Sequence, residues 1–589
     1  MSEPAVASRE RAGFLPIIGQ LRSYDRSWLR GDLLAGFVVA ALIIPKNLGY
    51  AGIAGVPLQN GLYAAAAGAI LYAVFGTCRQ ISMGPSSGLA AVAGAAVLTA
   101  GVPEGADTAT FVAGLTVATG LLFVVLAVLR MGWLSQFLSR AVVTGFLFGA
   151  AVDVVIGELP KITGTSAEGK NPLRELGSWL TGLGGAHLAT IVVGTVALAV
   201  VFGLKLVAPR VPGSLVLLLG GLVATPLFDL EAHGVALVGD IPRGLPAPAV
   251  PDLGLLLDHA GTVAVAAFAL MMIGFSQTAG DARSFAAKHR YQVDIDQESV
   301  AQGAANLGAG LLQGMPVTTS LSASSLNDRT GARSGLASIT SGVTVLLALV
   351  VLAPLFSALP KPVLAALIIE AVVMGMMDLP ELRRLRRVSR VDFWVAMAAI
   401  AGTLVLGIFA GVVIGIALSL VWLVFVVTHP QMPELGREPG TQVFRSLGDF
   451  PGDETTPGVV VLRVDGGVFF ATADALEDRV RELVLTPGVH GMVIHLGGVY
   501  VIDSQGTVTL REVIRLAEEA GVELRLAGVR PEVRRMLERD GALDLLGPGR
   551  VHGNVHRAVT ALGAPGGASG GRTAGTADDE QGGVDDDEQ

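Results

Sequence analysis

The chain has a single cysteine, Cys78, in 589 residues. That excludes an intramolecular disulfide and any multi-cysteine metal site. Charge is scarce too: 15% of residues are Asp, Glu, Lys or Arg, where a soluble protein carries about a quarter. There is no phosphate-binding glycine loop, no metal-ligand spacing and no nucleophile–base pair, so the sequence predicts neither an enzyme nor a metal site. Residues 1–31 are polar with scattered arginines and lack a short apolar core with a small-residue cleavage site. The first apolar stretch is therefore expected to stay as a membrane span. The net charge of −9 does not point to nucleic acid, because seven acids fall in the last twelve residues, from Asp578 on.

What the chain has in excess is apolar surface. Half of it is hydrophobic (51%), its mean hydropathy is +0.61, and 77 residues are glycine, which suits close helix packing in lipid. These values imply a polytopic membrane protein. Apolar stretches fall near 33–52, 62–76, 85–101, 110–129, 141–157, 187–206, 213–229, 261–280, 299–313, 318–327, 334–357, 362–378, 391–409 and 411–428. The third and tenth of these fourteen are too short or too polar for a full span of about 20 apolar residues. An in-to-out start puts Arg79, Arg130, Arg140, Lys205, Arg210, Arg283, Lys288, Arg290 and the arginines from 383 to 390 on one side. By the positive-inside rule that side is cytoplasmic, and the even count places both termini there.

Two broken stretches stand out. Met315-Pro316-Val317-Thr318-Thr319-Ser320-Leu321-Ser322 is rich in hydroxyls inside a hydrophobic chain, and Met83-Gly84-Pro85-Ser86-Ser87-Gly88 precedes another apolar run. Each is a proline-interrupted segment opening onto a helix N-terminus, whose unpaired N–H groups attract anions. Pro85 lies 52 residues after the first stretch begins, and Pro316 lies 55 after the eighth. Seven spans separate the halves, so the second copy is inverted, and the two N-termini meet near the midplane. The expectation is an anion site between Ser86/Ser87 and Ser320/Ser322, with the hydroxyls of Thr318 and Thr319. The alternative is hydroxyls bonding back inside ordinary helices.

After Pro430 the character changes. Residues 430–457 are expected to be a polar linker, and 458–562 a small soluble α/β domain with strands at 459–464, 491–495 and 523–527. The remaining divisions are an N-terminus (1–30), a membrane domain (31–429) and an acidic tail (563–589) expected to be disordered.

Three motifs resemble the SulP (sulfate permease) family of anion transporters. The first runs Ile44-Pro45-Lys46-Asn47-Leu48-Gly49-Tyr50-Ala51, then Gly55-Val56-Pro57, Gly61-Leu62-Tyr63 and Gly84-Pro85. The second is Gln297-Glu298-Ser299-Val300-Ala301-Gln302-Gly303 with Asn306, and the third is Asn327-Asp328-Arg329-Thr330-Gly331-Ala332-Arg333. The soluble part resembles a STAS domain, with Asp503-Ser504-Gln505-Gly506 at its strand-to-helix turn. The resemblance implies an all-α membrane fold of about 14 segments as a 7+7 inverted repeat, followed by a small cytoplasmic α/β STAS domain. It also implies core and gate domains, an elevator-like step and a homodimer. Relatives often carry arginine where this chain has Ala323, a carboxylate where it has Gln277, and glutamine where it has Lys46.

Lys46 sits about 13 residues into the first span, roughly 20 Å deep at 1.5 Å per residue, too far to reach the interface. It is expected to supply the missing positive charge beside Tyr50, with a structural ion pair as the alternative. Asp281, one turn after Gln277, has two open roles: binding a coupling ion or ending the helix in solvent. Asp153 lies inside the fifth stretch, Glu158 is expected to reach outer water, and Glu370 needs a partner or a proton. Ser504 is expected to cap its helix. The reading is a secondary active transporter in the cell membrane for a small inorganic anion, sulfate first and bicarbonate second. Coupling would be to H⁺ or Na⁺, with Gln277 and Asp281 at the coupling site, and no other cofactor is implied. A dicarboxylate or nucleobase carrier and an uncoupled channel or exchanger are the alternatives. The partners are the anion, the bilayer and a second copy, with no nucleic acid.

Overall fold

The computed structural model describes residues 15–563 other than 104, 132–139, 168–171, 209–210 and 240–243. Arg210 and the acidic tail therefore lie outside the described residues. The chain divides into two compact units, Met1–Leu420 and Val421–Gln589.

Every apolar stretch named above is a helix. Spans one to seven are Leu29–Ile53, Leu58–Phe75, Ser87–Ala100, Ala106–Val128, Arg140–Thr163, Leu188–Val207 and Gly213–Leu227. Spans eight to fourteen are Ala260–His289, Ile295–Leu311, Leu321–Thr330, Leu336–Ser357, Lys361–Met376, Arg390–Leu406 and Ile408–Thr428. Among the described residues seven helices are long and apolar enough to cross a bilayer; spans three and ten are half-length. Val192, Val196, Leu219 and Val223 stand exposed, as lipid-facing side chains should. Span eight is longer than its hydropathy suggests: the helix runs 30 residues to His289, so Asp281 lies within it, not at a solvated end. Apolar periodicity fades after Ala279, but capping of the chain comes only at Arg290, in the left-handed conformation.

The helices pack as two groups. Spans one to four interleave with eight to eleven, while five, six, seven, twelve and thirteen pack on one another. Close approach depends on small residues. A Cβ on Gly61 would lie 2.1 Å from the carbonyl oxygen of Asn47, so span two presses on span one beside Lys46 only because it carries glycine there. The connection Leu379–Val388 is a short amphipathic helix that buries Leu382 and Leu385 and exposes four arginines, Arg383, Arg384, Arg386 and Arg387. That pattern suits a helix lying in the interface.

Two-residue strands precede the half-helices. β1 (Met83–Gly84) and β2 (Thr318–Thr319) pair antiparallel, with Met83 opposite Thr319 and Gly84 opposite Thr318. Antiparallel pairing of equivalent segments is what an inverted repeat produces.

The second unit is an α/β sandwich. β5 (Val459–Asp465), β6 (Gly491–Gly498), β7 (Glu523–Ala527) and β8 (Val551–His552) form a parallel sheet in that order. The segment expected as a linker is partly structured. β3 (Leu435–Arg437) and β4 (Phe444–Ser446) make a hairpin, and Glu434 bridges to Leu462 of β5. Its strands are too short for alternation to register. Arg445 grips Asp453 through two hydrogen bonds (3.0 and 2.6 Å), which holds that carboxyl below its ordinary range. Its contribution is present above the unfolded carboxylate range and lost as pH falls through the depressed value.

The helix cap in this unit is also not the expected one. Asp503, not Ser504, caps the helix Ser504–Glu519, accepting from Gly506 N at 2.8 Å and from Phe470 N at 3.1 Å. Ser504 is the first helical residue and is exposed. Asp503→Ala should destabilise this unit by about 1 kcal/mol, whereas Ser504→Ala should leave it unchanged. Thermal unfolding with hydrogen exchange on the sheet amides compares the two.

Candidate anion-binding site

Burying a broken backbone in an apolar interior requires an acceptor or donor for each freed group. The second motif supplies them. Asn306 donates from Nδ2 to the carbonyl of Val317 and accepts from Val317 N, both at 3.0 Å, so one buried amide fixes the chain entering β2. Gln302 donates from Nε2 to Thr318 Oγ1 at 3.3 Å. Ser324 Oγ accepts from Ser82 N at 2.9 Å and Ser338 donates to the carbonyl of Ile81 at 2.8 Å, which together fix the chain entering β1.

Glu298 has a similar role. Its carboxylate is fully buried and accepts from Tyr72 (2.5 Å), from Thr77 Oγ1 and N (2.5 and 2.7 Å) and from Cys78 N (3.1 Å). Asp328 of the third motif pairs with Lys288 and, at 2.7 Å, with His289, tying the end of span eight to span ten. Asp32 accepts from Ser334 Oγ at 2.6 Å and Arg333 N at 2.7 Å. The motifs that sequence reading singled out are thus largely scaffold.

The two half-helices begin alike. Ser86 caps the first by accepting from Leu89 N at 3.4 Å, and Ser320 caps the second by accepting from Ala323 N at 3.4 Å. The next N–H in each, on Ala90 and Ser324, already bonds to the cap residue's carbonyl. Among the described residues that leaves the N–H groups of Ser87 and Gly88, and of Leu321 and Ser322, as the unspent donors of the first turns. The donor set differs from the expected one at Ser320, whose N–H is taken by the carbonyl of Ser82 at 3.1 Å.

Both N-termini open on one cavity of about 730 Å³ at the seam between the helix groups. Lys46, Tyr50, Ser86, Ser87, Gln277, Asp281, Thr319, Ser320 and Ser322 all line it, as do Lys205 and Glu370. A second void of about 10 Å³, the room of one water, is lined by Lys46, Tyr50, Ser320 and Ser322. Thr318 does not face the cavity. As the alternate residue of a strand it points the other way, donating to the carbonyl of Gly274 at 3.3 Å.

The charged residues sort differently from expectation. Lys46 forms no ion pair within 4 Å among the described residues, although Glu370 and Lys205 lie near enough to act on it electrostatically. Asp281 instead accepts from Thr319 Oγ1 at 2.8 Å, joining the expected coupling residue to the expected anion site. Glu370 is buried and paired with Lys205. Lys205, grouped by charge with the basic residues of the cytoplasmic side, is therefore in the cavity wall. Glu158, expected in outer water, is only 4% exposed and pairs with Lys161 at 2.6 Å.

Asn306→Leu leaves two buried backbone groups at Val317 without partners, at about 1–3 kcal/mol each. It should lower the unfolding temperature of the membrane unit and weaken anion binding together, whereas Ser325→Ala, on the same cavity, should lower neither by much. Thermal melts with and without sulfate separate the two.

Comparison with known proteins agrees with this architecture. Residues 29–399 match the model of the sulfate permease family, and 451–558 match the STAS domain. A probable sulfate transporter of Mycobacterium tuberculosis (strain CDC 1551 / Oshkosh) is 34% identical over 553 residues, covering 94% of this chain and 98% of the relative. Sulfate transporter 4.1, chloroplastic, of Arabidopsis thaliana is 28% identical, over 92% of this chain and 82% of its own. In structure, the murine solute carrier 26 family member A9 anion transporter in its inward-facing state superposes with a TM-score of 0.84 at 21% identity, covering 96% of this chain and 97% of that one. The transmembrane domain of the cyanobacterium bicarbonate transporter BicA gives 0.56 at 20% identity, over 66% and 98%. The two capped half-helices, the scaffold motifs that hold them and the following α/β unit are therefore those of a multi-pass membrane protein that belongs to the sulfate permease family of anion transporters.

Proposed function

We propose that this chain is a secondary active transporter of a small inorganic anion, sulfate before bicarbonate, coupled to H⁺ or Na⁺. One observation carries the reading: four backbone N–H groups from two helices, uncommitted among the described residues, share a cavity with a lysine that forms no direct ion pair there. Helix N-termini bind most small anions, and an unpaired deep lysine costs at least about 2.5 kcal/mol unless a counter-ion arrives. The mycobacterial relative is a probable sulfate transporter, which favours sulfate here.

Asp281 is the proposed coupling residue, with Gln277 one turn away. Its bond to Thr319 supports this, because a cation or proton at Asp281 changes the hydroxyl beside the anion. The seam between helix groups supports an elevator-like step, with the first group carrying the site past the second. The protein is proposed to work in the cell membrane as a homodimer with both termini cytoplasmic.

The cavity is larger than one inorganic anion fills, so a dicarboxylate is the second reading. Competition of succinate against sulfate uptake decides between them.

Uptake into proteoliposomes under separate H⁺ and Na⁺ gradients tests the coupling. Ser320→Leu and Ser87→Leu should each abolish uptake in protein that still inserts and folds. Lys46→Gln should weaken anion affinity roughly ten- to hundred-fold, as loss of a charge-assisted hydrogen bond does. Asp281→Asn should keep anion exchange and lose the response to the cation gradient. Unchanged affinity in Lys46→Gln, or intact coupling in Asp281→Asn, removes that residue from the mechanism.

A further inference from the structure

Among the described residues, four charged side chains line the cavity: Lys46, Lys205, Asp281 and Glu370. Lys46 and Asp281 belong to the helix group that holds the anion site. Lys205, from span six, and Glu370, from span twelve, belong to the other group and pair with each other.

That pair is only half closed. Glu370 is embedded in the apolar run Leu367–Val373 and is 3% exposed, yet among the described residues its Oε2 has no hydrogen-bond partner. Lys205 keeps about a third of its side chain exposed (35%). A buried pair that serves only to tie helices together normally has its remaining lone pairs and protons satisfied. An ammonium carries three N–H donors, and Glu370 is its one ion-pair partner among the described residues.

We propose that Lys205 is a specificity-determining ligand that reaches the second negative charge of a divalent anion, with Glu370 as the residue that positions it. This rests on the anion-transport reading above. A dianion held by the half-helices needs two compensating charges. Lys46 supplies one from the site itself, and Lys205 supplies the other from the facing group. A monovalent anion needs only the first. Glu370 holds the ammonium at the cavity wall without using up its donors, and binding of the anion does not require the pair to break.

Isothermal titration of the full-length protein with sodium sulfate and sodium bicarbonate tests this, using Lys205→Gln, Glu370→Gln and the double variant. Lys205→Gln should weaken sulfate roughly ten- to hundred-fold, and it should weaken bicarbonate as well, because it leaves the Glu370 carboxylate unpaired beside the site. The double variant replaces the ion pair by two neutral amides and should fold even where the single does not. It should bind bicarbonate like the wild type while sulfate stays at least about tenfold weaker. Glu370→Gln, which keeps the lysine, should retain sulfate binding. A double variant with the wild-type ratio of sulfate to bicarbonate affinity overturns the role of Lys205 and makes the pair purely structural. A wild type that binds neither anion overturns the site itself, and this proposal with it.

Discussion

Two residues of strand on each side, Met83–Gly84 against Thr318–Thr319, hold this membrane unit's broken centre together. Interrupting two helices in an apolar interior frees backbone groups that cannot turn to water, and each orphan costs free energy comparable to a lost hydrogen bond. The antiparallel pairing satisfies some of them. Asn306, Ser324 and Ser338 satisfy others from spans nine, ten and eleven. The result is that the two first turns are fixed relative to each other, with their remaining donors directed to one place. Pre-organisation of this kind lowers the ordering cost of binding.

The electrostatics of the cavity follow from that arrangement. The chain has Ala323 and Gln277, both uncharged, at the half-helix site, and the charges near it are Lys46 and Asp281. Lys46 makes no direct ion pair among the described residues, Asp281 engages Thr319, and Glu370 is occupied by Lys205. Charge is therefore distributed over both helix groups. Movement of one group against the other would change which charges face the anion, which is a physical reason for such groups to alternate.

Much of this architecture was legible in the chain. Hydropathy located the long spans, because lipid-facing and buried positions are both apolar and the signal survives any rotation; the third, ninth and tenth are too short or too polar to be found that way. The paired prolines followed by hydroxyls marked the half-helices, since few apolar sequences tolerate that pattern. What could not be read depended on direction or on distant partners. Thr318 and Thr319 look alike, but strand alternation sends one into the scaffold and the other to the cavity. Lys205 read only as one of the basic residues on the cytoplasmic side, and only tertiary packing brings Glu370 to it. Asp281 seemed to end a span because apolarity stops there, although the helix does not. In the second unit, Asp503 and Ser504 are both good caps, and only the backbone geometry at Asp503 chose between them. The hairpin at 435–446 was missed because three-residue strands carry no readable period.

The central claim is that backbone donors of two facing half-helices hold the anion. Hydrogen–deuterium exchange at residue resolution, with and without saturating sulfate, measures those donors directly. Exchange should slow at the amides of Ser87, Gly88, Leu321 and Ser322, with Leu89 and Ala323, already capped, little changed. Unaltered exchange at all four while sulfate is demonstrably bound, or protection confined to another part of the membrane unit, would contradict it.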